Sequence, residues 1–320
     1  MRDPIQLSTL GFGCAPVMGK VGKSEALRAM SEAFNLGVTH FDVARSYGFG
    51  RAEQVVGSFI KGRRDKVTVT SKFGVVPPNL NLSTKALIPV ARLATKLMPH
   101  LKARLKSKSG QLLAERNFDV AYARKCLDES LRMMKTDYID IYLIHEPNVA
   151  LLKNPEELGS LLEDSVRAGK IRRWGAAYQT VQDYQWASVL GGDVIQFEGN
   201  IETLSQCNAI LNDERQRIVT RPFAGGLCTK PVLQAKLRDL QLTETVKELG
   251  ASLADVSLCL AHELAGQSGT VLCSMFSSEH IQENTRTLRE FGDKLCMKQV
   301  VSKIIQTTTM NNSKSIFNTQ

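Results

Sequence analysis

Short runs of β-branched and aliphatic residues alternate along the chain with stretches whose apolar positions recur every three or four residues, the rhythm of successive βα units. The first run covers residues 10–14. Leu27, Met30, Ala33 and Phe34 then fall on one face of a helix predicted over 24–36, capped by Ser24 and stopped by Gly37. Strands are predicted at 38–42 and 66–72 around a helix at 52–61. A helix at 120–134, a strand at 138–145 and a helix begun by Asn154 and Pro155 and running to 168 come next. Strands at 171–175, 194–198, 217–221 and 270–274 complete the series, with helices near 181–190, 204–211, 233–249 and 253–264, and another after Ser278.

About eight parallel strands in 320 residues fit one (β/α)8 TIM barrel of roughly 250 residues plus insertions. A doubly wound sheet is the structural alternative. It lacks its fingerprint, because Gly11-Phe12-Gly13 is followed by Cys14-Ala15-Pro16 rather than by a GxGxxG pattern. The expected organisation is a single barrel over 1–300 and a frayed Thr-, Asn- and Ser-rich tail over 301–320. The longest departure from alternation lies at 73–117, too long for an ordinary βα loop. Leu87, Ala91, Ala94, Met98, Leu101 and Leu105 give it a near-helical spacing, interrupted by Pro89 and Pro99.

Charge sharpens this picture. The chain carries a formal +9, yet residues 84–116 hold eight basic side chains against the single acid Glu115, so that segment alone supplies most of the excess. No basic face spread over the fold remains, which argues against a nucleic-acid partner. The basic excursion reads as a helical segment packed on the barrel rim; a membrane-surface or acidic-partner contact and an electrostatic collar for an anionic ligand are the other readings. Nothing approaches the roughly 18 apolar residues of a membrane span, and the N-terminus lacks a signal-like apolar stretch, so a cytoplasmic protein is expected. Seven cysteines without a CxxC pair read as small buried hydrophobes, neither a disulfide framework nor a metal site. No pattern specifies an oligomeric state.

Three predicted strands finish on polar residues, Asp42, Lys72 and His145, and Tyr47 follows the first closely. In a parallel barrel all strand C-termini open onto one face, so these four side chains are expected to converge there. An ammonium beside a phenol, whose ordinary pKa is about 10, favours the phenolate and eases proton release. Tyr47 is therefore the candidate proton donor, with Lys72 tuning it, Asp42 holding Lys72, and His145 donating a hydrogen bond to a carbonyl oxygen.

The segment Phe41-Asp42-Val43-Ala44-Arg45-Ser46-Tyr47-Gly48 resembles the Asp-x-Ala-x-x-Tyr-Gly signature of the aldo-keto reductase family. The likeness continues through Glu53 and Gly57, Ser71-Lys72-Phe73-Gly74, Leu143-Ile144-His145, Gln196 and Asn200, and Glu283-Asn284, over about residues 5–290. The resemblance implies a metal-free enzyme that reduces small-molecule aldehydes or ketones with NADP(H), NAD(H) being the alternative cofactor. It also implies cofactor contacts from Gln196, Arg221, Ser274, Ser277, His280, Gln282, Glu283 and Asn284. The chain departs from the family pattern at Ala177-Tyr178, where relatives carry Ser and Asn after Gly175-Ala176, at Thr220-Arg221, where relatives often carry an aromatic ring, and at His280, where an Arg is common. A catalytically weak NADP(H)-binding subunit, redox-sensing or partner-binding on the same fold, is the competing expectation.

Overall fold

In the computed structural model, residues 2–78, 115–180, 183–184, 190–224, 226 and 230–316 are described. Eight parallel strands close into a barrel in sequence order: β1 Leu10–Gly13, β2 His40–Asp42, β3 Thr68–Phe73, β4 Ile139–His145, β5 Ile171–Ala177, β6 Val194–Glu198, β7 Gln216–Thr220 and β8 Thr270–Cys273. The (β/α)8 architecture expected from the alternation is therefore the one observed. Between the strands run α1 Lys23–Asn35, α2 Ala52–Ile60, α3 Val120–Met134, α4 Pro155–Arg167 and the short α5 Asn208–Leu211. Then come α6 Lys230–Asp239, α7 Thr243–Glu248, α8 Leu253–Ala265, α9 Ser278–Phe291 and α10 Leu295–Ile316.

Period-two alternation decides which side chains fill the barrel. On β4, Ile141 and Leu143 join Ala177, Val194, Ile218 and Leu272 in an inner cluster, while Tyr142 and Ile144 pack outward against the helices. His40 is also fully buried, with its ring nitrogens 2.9 Å from Thr68 Oγ1 and 3.3 Å from Thr70 Oγ1. Gly11 makes room for it, because a Cβ there would lie 2.5 Å from Leu272 and 3.1 Å from the His40 ring. Ile5 and Leu7 pack on the inner cluster from the end opposite the strand C-termini. The main chain of Ile5 is held by Gln216, whose side chain accepts from Ile5 N at 3.2 Å and donates to Ile5 O at 2.7 Å.

Several local expectations change. Helix α1 starts at Lys23 after an extended Gly22, so Ser24 lies inside the first turn and caps nothing. The helix predicted over 233–249 is two, α6 and α7, separated by a turn in which Gln241 takes a positive φ of 55°. The segment predicted over 204–211 begins as a 3-10 turn, Leu204–Gln206. The region expected to fray is helical through Ile316, because Met297, Val300, Val301 and Ile304 are buried in the core. A boundary at 300/301 thus falls inside α10. Five described cysteines are buried as expected; Cys296 is exposed.

Most of the excursion, residues 79–114, lies outside the described residues, as do Cys228 and most of the helix predicted near 181–190. Its two stems are described. Val76 N donates to Glu115 O at 2.8 Å and Asn117 N to Gly74 O at 2.8 Å, forming a short antiparallel ladder, and Arg116 pairs with Glu146 at 2.5 Å. Among the described residues, no helix is long and apolar enough to cross a membrane.

Candidate active site

Asp42 ends β2, Lys72 is the penultimate residue of β3, and His145 ends β4, so the inward alternation of three neighbouring strands brings them to one end of the barrel. Tyr47 reaches the same place from the turn after β2, whose reversal uses positive φ at Gly48 and Phe49. The Lys72 ammonium lies 2.5 Å from Asp42 Oδ1, donates to Val43 O at 3.2 Å, and sits 5.1 Å from the centre of the Tyr47 ring. The His145 ring meets that phenol edge-on, with centroids 5.8 Å apart. Four residues spread over a hundred positions form one contiguous cluster.

Burial and charge compete at each member. Burial works against the Lys72 ammonium, but the Asp42 carboxylate and Tyr47 outweigh it and the pKa is raised, so the amine stays charged. For Tyr47, burial is the largest influence and pushes the phenol up; Lys72 opposes it without reversing it. The expectation that the ammonium brings the phenol below its ordinary value is therefore corrected: the phenol holds its proton at neutral pH. Burial, aided by Lys72 and Arg116, lowers His145 to about 3. A neutral imidazole offers one N–H donor.

Gln196 reaches inward from β6, and its Nε2 donates to Asp42 Oδ2 at 2.8 Å. Each carboxylate oxygen of Asp42 thus has its own partner, ammonium on one side and amide on the other. Glu53, 1% exposed on α2, is a second support that sequence reading left without a role. It accepts from Ser71 Oγ at 2.7 Å and from Arg45 Nη1 at 3.2 Å, and Arg45 continues to Glu129 on α3 at 2.5 Å. Ser71 precedes Lys72 and Arg45 lies two residues before Tyr47, so one buried carboxylate braces both the strand and the turn that carry the cluster. The available sequence signal was an acid at a helix position surrounded by Ala52, Val55 and Val56.

The other residues proposed for cofactor contact lie on β6 to β8 and the start of α9. Arg221 takes φ 54° and pairs with Glu198 at 3.1 Å; its carbonyl accepts from the buried Asn200 at 3.1 Å. Ser274 Oγ donates to Gly13 O at 3.0 Å. Ser277 caps α9 by accepting from His280 N at 3.3 Å, while Gln282 and Glu283 are exposed and Asn284 is half-buried. At the same helix start, Arg28 from α1 donates to Phe276 O at 2.8 Å, and Ser278 Oγ donates to Glu32 at 2.7 Å. A guanidinium therefore stands beside a helix N-terminus, a combination suited to a phosphate. At the end of β5, Ala177 is buried and has no hydrogen-bonding side chain, and Tyr178, the residue after it, is buried too. Among the described residues, no group of three or more His, Cys, Asp or Glu is disposed to hold a metal ion.

Two histidines, His40 fully buried and His145 half-buried, make a measurable prediction. Burial, reinforced by Lys72, lowers His40 to about 3 as well. In the unfolded chain both imidazoles bind a proton near their ordinary value of 6.5, whereas folded they stay neutral until about 3. Unfolding in that window therefore takes up protons, and the stability present above about pH 6.5 declines as the pH falls towards about 3. Denaturant midpoints should drop across it, and less steeply in His40→Asn. A midpoint as steep in that variant as in the parent would reject the assignment.

A family model described as the aldo/keto reductase family matches residues 9–303. The chain is 24% identical over 250 residues to the uncharacterized oxidoreductase YqkF of Bacillus subtilis (strain 168), covering 77% of this chain and 69% of that protein. It is 29% identical over 157 residues to methylglyoxal reductase YeaE of Escherichia coli (strain K12), covering 49% of this chain and 40% of that protein. Matches to the curated relatives span from 40% to 69% of their lengths, mostly about half. Among solved structures, an aldo/keto reductase from Klebsiella pneumoniae in complex with NADP and acetate superposes with a TM-score of 0.61 at 20% identity, covering 94% of this chain and 92% of that one. That likeness bears on the fold.

Proposed function

Because the chain belongs to the aldo/keto reductase family and is an oxidoreductase, we propose that it reduces an aldehyde or ketone to an alcohol, with Tyr47 as the proton donor. The observation that carries this reading is the Lys72 ammonium, buried and 2.5 Å from Asp42, beside a phenol that the His145 ring meets edge-on. In the reduction, a substrate oxygen seated between Tyr47 and His145 gains negative charge. The imidazole N–H stabilises that charge and the phenol delivers its proton to the oxygen; Lys72 offsets the phenolate left behind. Asp42 and Gln196 fix the ammonium's partner, and Glu53 holds the two segments that carry the donor.

NAD(P)H, when bound, supplies the hydride. The donor set suits such a group: Gln196 donates to Asp42 through Nε2 and keeps Oε1 as an acceptor, and the start of α9 offers backbone N–H groups with Arg28 alongside. Gln196, Arg221, Ser274, Ser277, His280, Gln282, Glu283 and Asn284 are the proposed contacts. Arg28, a cation beside that helix start, is the feature that favours NADP(H) over NAD(H). The name of the Escherichia coli relative makes methylglyoxal the first substrate to assay.

Titration of purified protein with NADPH and with NADH, followed by cofactor fluorescence, tests the binding half. A saturable change, stronger for NADPH, is expected. Addition of methylglyoxal should then consume the reduced cofactor one for one with alcohol formed. No response to either cofactor would overturn the reading, and binding without turnover on any aldehyde would leave only the non-catalytic subunit.

A further inference from the structure

Away from the barrel mouth, a groove of about 790 Å³ runs along the outer face of α2 towards the C-terminal end of α3. Its floor includes Met18, Val55, Ile60 and Met133, and its walls carry Lys23, Arg51, Lys61, Arg64, Arg132 and Lys135. No acidic residue lines it. The helices are not short of acids; they turn them elsewhere. Glu53 of α2 is committed to Ser71 and Arg45, Glu129 of α3 to Arg45, and Asp128 of α3 to Lys170 at 2.7 Å. Arg64 pairs with Asp140 at 2.6 Å, whereas none of the other five cations pairs with a carboxylate among the described residues.

The placement of two of those cations matters more than their number. Lysine and arginine in a last helical turn complement the helix dipole, which accounts for Lys61, Arg132 and Lys135 without any ligand. Lys23 and Arg51 are at the other end. Lys23 is the first residue of α1, and Arg51 is the N-cap of α2 with no side-chain capping bond. Both stand where the dipole favours an anion, and the Nε of Arg51 is buried without a hydrogen-bond partner among the described residues. The first turn of α1 also holds Glu25, whereas the acid in the first turn of α2, Glu53, is turned inward to Ser71 and Arg45, away from Arg51. Gly57 keeps the two helices close, because a Cβ there would come within 2.5 Å of Met134 O.

We propose that this groove binds a small polyanion carrying two or more phosphoryl groups, at a site sharing no lining residue with the catalytic cluster. Arg51 and Lys23 would take one group at the helix starts, and Lys61, Arg132 and Lys135 another towards the helix ends. The volume is in the range of small-ligand pockets, roughly 300–1,000 Å³.

Calorimetric titration of the full chain with sodium tripolyphosphate tests this, using two matched pairs of substitutions. Arg51→Gln with Arg132→Gln removes two groove cations. Arg124→Gln with Lys125→Gln removes two exposed cations of α3 that do not line the groove. One saturable site is expected in the parent, weakened at least about ten-fold in the first pair and less than about two-fold in the second, since hydrogen bonds to charged groups contribute about that much each. Equal weakening in both pairs, or no saturable heat in the parent, overturns the proposal. Should the first pair melt early, the exposed pair Lys23→Gln with Lys61→Gln takes its place under the same criterion.

Discussion

Tyr47→Phe should lower kcat for carbonyl reduction by roughly 10²–10⁴-fold, the usual contribution of a positioned general acid, while leaving NADPH affinity within about two-fold. The change removes only the hydroxyl. The ring keeps its edge-on contact with His145 and its place over Lys72, so folding should be little affected. Burial holds the phenol protonated at neutral pH, so the parent enters the reaction with its proton in place. Without it, the oxygen that becomes negative during reduction has only the His145 N–H and solvent. Steady-state rates with methylglyoxal and a parallel cofactor titration measure the two effects separately. Equal losses of rate and cofactor affinity would point to a collapsed site, and an unchanged rate would remove Tyr47 from the chemistry.

The largest effect on stability is expected from Lys72→Met. Both partners of the Lys72–Asp42 pair are buried, with side chains 0% and 4% exposed. Methionine fills the space of the lysine stem but leaves the Asp42 carboxylate inside the barrel with only the Gln196 amide, which should cost about 3–5 kcal/mol. Adding Asp42→Asn to Lys72→Met should recover most of that loss, because the introduced amide still offers an oxygen to the Gln196 side chain and carries no charge. Urea midpoints of the parent, both single variants and the double variant close the cycle. Losses that simply add would mean that the pair contributes no coupling, contrary to the 2.5 Å contact.

The barrel and the four-residue cluster were readable in the chain for one reason. Strand periodicity fixes which residues face inward, and parallel order fixes which end they reach, so Asp42, Lys72 and His145 could be placed together without any knowledge of side-chain contacts. Gln196 was recognised by its resemblance but not by its partner. It touches Asp42 across 154 residues, and only closure of the barrel decides that β6 faces β2 there. Glu53 was hidden differently: its helix looks amphipathic, and nothing local says that a carboxylate faces inward when the guanidinium neutralising it comes from a turn. Tyr47's proton affinity was misjudged because a sequence shows the neighbouring cation but not the loss of water around the phenol. Helix α10 was missed because its Thr, Asn and Ser residues mask the buried face formed by Met297, Val300, Val301 and Ile304.

The ladder at the stems of the excursion gives the catalytic face a socket. The described stems are tied by two main-chain hydrogen bonds to each other and by one ion pair to the barrel, Arg116 with Glu146, next to His145. Loop closure costs only about 0.6 kcal/mol for each doubling of length, so inserts of very different size can be spliced between Val76 and Glu115 while the strands keep their register. The sequence between the stems can then be exchanged as a cassette, with Tyr47 and the residues that hold it left as they are.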